Sequence, residues 1–416
     1  MIYGFYYKSK MKEKSSNKTV DSLRCTNDLN LFEKLSLEKD IIDTNEWIRR
    51  EVKKNPMSTR RHLLSNSVRL TQKMSPQIHS MANECIECLG VKLPLELFVY
   101  ASSQFNAACF KPEQERLYVM FSSSLLEGFS ADELKYVMGH ELGHHIYRHH
   151  EIPIGYLLKG KHPPSPKTTL ELFAWSRYAE ISADRAGAFC AQNFDAVASA
   201  LFKLSSGLTS ELIKFELHDF LDQVDDMQAV DAEPGEGAPI GDWFSTHPFS
   251  PLRVKALDLF HRSELMNETE MGKEELEIKV QELLGLMEPS YLAGKTKTAE
   301  SMRRVLFAGA ITIASASGGI SSKEVEVFES FFGKNAFGDT LNIDKIKSSL
   351  VGRAAKVLEL ASHSQRFQLL RDLALIAKAD NRVSKLERQA LNEIALSIGL
   401  TIEDVELVLS QEYELD

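Results

Sequence analysis

The sequence predicts an α+β, mainly helical chain folded in two parts, and three observations carry that expectation. In the first part, "LELFVYAS" (95–102) and "RLYVMFSS" (116–123) have the β-branched and aromatic content of strands, while apolar residues around them recur at helical three- and four-residue spacing. The stretch 224–245 is acidic and rich in Gly and Pro, and reads as a flexible loop. From about residue 296 the composition turns to helical small-residue segments, and 310–328 matches 373–391 at an offset of 63.

The repeat pairs Ile313 with Ile376, Ile320 with Val383, Ser321 with Ser384 and Glu324 with Glu387. Each copy therefore predicts a helix, a short turn, and a capping box that starts the next helix. The expected organisation is a polar, irregular extension over 1–40, a first domain over 41–262, a helical linker over 263–295 and a duplicated all-α domain over 296–416.

Within the first domain, "TNEWIRREV" and "MSPQIHSMANECIECLGV" read as helices, and "SQFNAACFKPEQE" as a third short strand with a turn. Ser130 followed by Glu133 is a capping box, and the helix it opens carries Leu134, Val137, Met138, Leu142 and Ile146 into a core. Another long helix runs through "LELFAWSRYAEISADRAGAFCAQNF", and "THPFSPLRVKALDLFHR" is a turn leading into a helix.

Length and charge exclude several classes. A chain of 416 residues, 43% hydrophobic, can bury the cores of two or three domains. Its net charge of −10 argues against general affinity for nucleic acid, and the basic run 49–62 reads as a solvated helix face. No apolar run is long enough for a transmembrane segment, and charges from Lys8 onward interrupt any secretory signal, so a cytoplasmic protein is expected. The 5 scattered cysteines fit a reducing compartment, and Cys85 and Cys88 read as helix packing because no second pair or nearby histidine completes a zinc set.

The chemistry concentrates in "HELGHHIYRHH" (140–150). On a helix, His140 and His144 lie on one face about 6 Å apart and can share one zinc ion. Glu141 lies beside them, placed to take a proton from metal-bound water and return it to a leaving amine. Two residues compete as third ligand. His150 has the ten-residue spacing of one metalloprotease pattern, but Tyr147 stands where that pattern has a glycine. If the helix continues, His150 lies about 15 Å along the axis from His140. Glu180, on the next long helix, completes a His, His, Glu set with an open position, and Asp184 one turn on can orient a ligand histidine by accepting its second N–H. The E-x-x-x-D spacing after H-E-x-x-H favours Glu180.

"VMGHELGHHIYRH", "RYAEISADRAGAF" and "STHPFSPLRVKAL" together resemble the zinc peptidase family that contains the CAAX prenyl protease and the membrane protease HtpX. The resemblance covers roughly 75–262 and implies a gluzincin-type fold with a small edge sheet, binding one Zn2+ per chain through His140, His144 and Glu180. It further implies Glu141 as general base and acid, Asp184 as the orienting aspartate, and His247 and Arg253 in a His-Pro segment close to the active site. His247 is assigned the stabilisation of the tetrahedral oxyanion. By the same likeness, Asn106 and Ala107 lie on an edge that pairs with an extended substrate. Many family members carry membrane spans that this sequence lacks, which points to a soluble endopeptidase acting on a protein or peptide.

The carboxy-terminal part, about 300–410, resembles the TerB domain named for tellurite resistance, whose members are linked to metal or stress responses. The aspartate at Asp380 is replaced by Ser317 in the first copy, and Asp380 reads as a turn-forming, capping residue. The domain is expected to regulate the peptidase or to bind a protein partner. The alternative reading is a zinc-stabilised scaffold without activity. A third reading has the helical domain or the acidic loop cover the cleft until a signal releases it.

Overall fold

The protein is described by a computed structural model over residues 20–54, 59–159, 164, 166–209, 213–230, 247–266, 271–285, 287, 291, 297–316, 321–332, 342–361, 363–379 and 382–410. It is mainly helical with one small sheet, and the chain divides into two compact units, 1–224 with 244–279, and 225–243 with 280–416.

The first unit opens with a 3-10 turn, Val20–Leu23, and helices α1 (Thr26–Ser36), α2 (Lys39–Lys54) and α3 (Thr59–Asn66). Strand β1 (Val68–Leu70), helix α4 (Pro76–Leu89) and strands β2 (Leu95–Tyr100), β3 (Ala107–Glu113) and β4 (Arg116–Ser122) follow. Then come α5 (Ser123–Gly128), α6 (Ala131–Ile146), α7 (Ile154–Lys159), α8 (Pro166–Ala191), α9 (Phe194–Ser206) and α11 (Ser250–His261), while α10 (Leu217–Val230) and α12 (Lys273–Gly285) each begin in this unit and end past its boundary. No helix among the described residues is long and apolar enough to cross a membrane.

The sheet has the order β1-β2-β4-β3, with β2 and β4 parallel and both flanking pairs antiparallel. The β3–β4 hairpin turns at Gln114 and Glu115, both at positive φ (51° and 58°), the twist a two-residue hairpin requires. Strand β3 is thus an edge. Ser122 N donates to Asn106 O, so by the alternation of an antiparallel ladder Ala107 and Cys109 direct their backbone groups to the free side.

Two helices form the centre of this unit. Ser130 and Glu133 make the capping box of α6, and buried Glu133 also binds Lys203 Nζ (2.8 Å) and Ser199 Oγ (2.6 Å) of α9. The approach of α6 to α8 is unusually close: a Cβ built on Gly187 would lie 2.6 Å from Tyr136 O, one on Gly143 2.9 Å from Ala183 Cα, and one on Gly139 2.8 Å from Cys190 Sγ. Glycine at these positions lets the backbones approach far enough to bring groups from both helices to one point. Cys85 and Cys88 of α4 pack toward the same pair, with Sγ 3.7 Å from Lys135 O and 3.8 Å from Phe189 O.

Two expectations change. Residues 20–36, read as part of a polar irregular extension, fold: Leu23, Cys25, Phe32 and Leu35 are buried, and Phe32 and Leu35 share a core with Ile152, Leu172 and Trp175. The apolar positions here are few but fall on one helix face, which a composition reading overlooks. The acidic stretch 224–245 begins inside α10, while 231–246 lies outside the described residues.

In the second unit, α13 (Lys297–Ala314), α14 (Ser322–Phe332), α15 (Ile343–Leu360), α16 (His363–Ala377), α17 (Lys385–Ser397) and α18 (Ile402–Ser410) surround one core. The repeat is structural. Ile313 and Ile376 are both 0% exposed, and both capping boxes form: Ser321 N to Glu324 Oε2 at 2.7 Å and Ser384 N to Glu387 Oε2 at 2.8 Å. Asp380 and Ser317 lie outside the described residues.

Candidate metal centre

His140 and His144, four residues apart on α6, point Nε2 at each other at 3.2 Å. Glu180 of α8 enters between them, its Oε2 3.5 Å from His140 Nε2 and its Oε1 3.4 Å from His144 Nε2. These three are the group of His, Cys, Asp and Glu side chains among the described residues whose ligand atoms converge, all within 4.8 Å. The structure thus brings Glu180, and not His150, to the pair.

The donor chemistry of this convergence is informative. Asp184, 0% exposed, accepts Arg253 Nε (2.8 Å) and Nη2 (2.6 Å), Tyr136 Oη (2.7 Å) and His140 Nδ1 (2.9 Å). Burial alone would raise its pKa, but the charge and hydrogen bonds of Arg253, then His140, hold it well below the usual carboxylate range. A carboxylate accepts only, so His140 Nδ1 carries the proton and a neutral ring presents a lone pair at Nε2. With His144 in the same tautomer, its Nε2 and the Glu180 carboxylate make three acceptors facing one point, which a cation satisfies. Ligands at zinc bond lengths of ~2.0–2.1 Å in a tetrahedron stand ~3.3 Å apart, close to the 3.2–3.5 Å seen here.

Glu141 turns the other way. Its Oε2 accepts Cys109 N from the free side of β3 at 2.7 Å. Burial raises its pKa, against lowering by His140 and by that hydrogen bond. His247, exposed and just before α11, brings Nε2 to 3.5 Å from Glu180 Oε1, and Arg253 Nη2 lies 3.5 Å from Glu180 Oε2. Asn106 is exposed, with Nδ2 donating to Tyr100 Oη (3.1 Å), and Ala107 begins the edge strand.

The remaining histidines of the cluster require a correction. The helix does not continue through them: α6 ends at Ile146, and Arg148 adopts φ 62°, ψ 29°. This left-handed residue makes the turn back that Tyr147 was taken to prevent, and its exposed guanidinium is tied to Glu151. His149 consequently folds onto the site, its Nδ1 2.8 Å from His144 Nδ1. His150 does not join the ligands; burial pushes its pKa down to about 4. Tyr136, His149 and the Cys109 amide are site groups that residue spacing did not reveal; only Tyr136, one turn before His140 on the same face, left a trace.

Residues 72–159 and 165–260 match peptidase family M48, a span that holds every residue of this centre. This region is thus similar to peptidase family M48. Residues 303–409 match tellurite resistance protein TerB, so an M48-like region precedes a TerB-like region in one chain. The M48 region is similar to the plastoglobule-localized metallopeptidase 48, chloroplastic, of Arabidopsis thaliana, 27% identical over 217 residues, 48% of this chain and 61% of that protein. It is also similar to protease HtpX of Shewanella piezotolerans, 40% identical over 58 residues, 14% of this chain and 20% of that protein. The chain therefore spans less than two thirds of either relative's length. No solved structure matches it.

Proposed function

We propose that the protein is a zinc-dependent metalloendopeptidase of gluzincin type, in which His140, His144 and Glu180 hold one Zn2+ and Glu141 is the general base and acid. The observation that carries this reading is the convergence of two histidine nitrogens from α6 and a carboxylate from α8 on one point. When bound, zinc supplies the Lewis acid that polarises a peptide carbonyl and acidifies water.

The rest of the reaction belongs to the chain's own side chains. Glu141 takes the proton of the attacking water as its oxygen adds to the scissile carbonyl carbon, then delivers it to the amine nitrogen as the C–N bond breaks. A carboxyl whose pKa is raised by burial suits both transfers. The Cys109 amide fixes its direction. Asp184, clamped by Arg253 and Tyr136, keeps the His140 ring in place. The free side of β3, from Asn106 and Ala107, receives an extended peptide backbone as an added strand. His247 donates to the developing oxyanion. Domain boundaries at 262 and at 296–416, with 20–36 now counted in the first domain, and a regulatory or partner-binding role for the TerB-like region belong to the same proposal, as does a cytoplasmic site of action.

The purified full chain is expected to hold about one zinc per molecule. Glu141→Gln should keep the metal and lose cleavage, and comparison of proteome-wide cleaved termini with wild type should then yield the substrates. An active Gln variant overturns the mechanism. Zinc-loaded protein that cuts no unfolded substrate favours the scaffold reading.

A further inference from the structure

The two ligand histidines are braced differently. His140 rests directly on a carboxylate, Asp184. His144 rests on another histidine, and behind that lies a second buried carboxylate from the other end of the domain. His149 Nε2 is 3.1 Å from Oδ2 of Asp28, a residue of α1 that is 0% exposed. Asp28 also accepts Ser182 Oγ (2.7 Å), Trp175 Nε1 (3.0 Å), Arg24 Nε (2.8 Å) and Arg24 Nη2 (3.1 Å). Ser182 is two residues from Glu180 on α8, so the same helix that supplies the third ligand helps to seat this carboxylate.

We infer that Asp28 and His149 form a positioning relay for His144, making α1 a working part of the metal centre. The inference rests on the zinc-site reading above and goes on from the placement of protons. Asp28 accepts only, so the proton between it and His149 sits on His149 Nε2. His149 Nδ1 then presents a lone pair to His144 Nδ1 at 2.8 Å, so His144 carries its proton on Nδ1 and has Nε2 open toward Glu180. The alternative, with both His149 nitrogens protonated, places the only proton of a neutral His144 on Nε2 and closes that nitrogen to a metal. Each link in the relay selects the tautomer of the next, and the last link is the ligand. Metal-binding histidines commonly donate their second N–H to an acceptor that fixes ring and tautomer. Here that acceptor is itself a ring whose tautomer has to be fixed.

His149→Phe, in the full chain, is expected to weaken Zn2+ binding by about 10–100-fold in chelator competition. His149→Asn can set a carbonyl oxygen near the position of Nδ1, and should recover most of that affinity. In the zinc-loaded wild type, long-range 1H–15N spectra should show His149 with its proton on Nε2 and His144 with its proton on Nδ1. Cobalt substitution should give a tetrahedral absorption band that is altered in the Phe variant and restored in the Asn variant. The relay is overturned if His149 proves to be protonated on Nδ1, or if the Phe variant binds zinc as tightly as wild type. Should the Phe variant not fold, the tautomer measurement on wild type decides alone. Loss of zinc binding in wild type, or its persistence in Glu180→Ala, would instead sink the zinc-site reading.

Discussion

Cys109 N and Glu141 Oε2 lie 2.7 Å apart, joining the edge strand to the residue that follows the first ligand histidine. A proline at 109 keeps the strand, because this N–H faces away from β4, but removes the donor. Cys109→Pro is expected to lower kcat about tenfold or more, as loss of a hydrogen bond to a charged group costs ~1.5–3 kcal/mol. Metal content should not change. With the donor gone the Glu141 carboxylate is less favoured, so the acidic limb of the pH–rate profile moves to higher pH. A limb that stays put would show the contact to be idle.

The contact between Gly187 and Tyr136 O leaves no room for a methyl group, since a Cβ would sit 2.6 Å from that oxygen. Gly187→Ala should therefore push α8 from α6, cost ~1–3 kcal/mol and loosen the metal centre together with the fold. Parallel thermal melts and zinc titrations test this: normal melting with normal zinc affinity would refute it.

Asp184→Asn should weaken zinc binding ~10–100-fold by freeing the His140 ring. It should also cost stability, on the scale of ~1–3 kcal/mol, because the Arg253 guanidinium, only 11% exposed, keeps its charge and loses its nearer carboxylate, with Glu180 left 3.5 Å away. Denaturant unfolding of the metal-free protein separates the second effect from the first.

In the second unit Asp372 is buried beneath Tyr291, whose Oη donates to it at 2.7 Å. Burial pushes its pKa up to about 6, against lowering by Arg371 and Tyr291. Folding therefore raises this pKa above its unfolded value near 3.9. Its contribution is full below about pH 4 and lost as the pH rises through about 6, a change on the order of 2–3 kcal/mol. Unfolding of this unit should become easier from pH 4 to 7 in wild type, whereas Asp372→Asn, which still accepts from Tyr291, should flatten that slope. Equal slopes would count against the assignment.

Much of the centre was legible because its residues sit at fixed helical spacings. His140, Glu141 and His144 follow from one turn of helix, Glu180 and Asp184 from another, and the repeat partners Ile313 and Ile376 from a shared apolar pattern. What escaped depends on backbone that leaves regular structure or on contacts between distant segments. The left-handed Arg148 reverses the chain without a glycine, so spacing alone does not mark His149. Asp28 lies 121 positions from the histidine it holds, in a helix with few apolar residues. Strand β1 is only three residues long and takes its register from β2 rather than from its own alternation.

The braces on the two histidines come from opposite ends of the domain: Asp28 precedes the ligands in the chain, and Arg253 follows them. During synthesis all three ligands and Glu141 leave the ribosome well before Arg253. A nascent or prematurely ended chain that stops short of α11 therefore carries the proposed zinc ligands and Glu141, with Asp184 held by Tyr136 but lacking Arg253. Such a chain should be a poor zinc binder, and the activity would switch on only once the whole domain has been made.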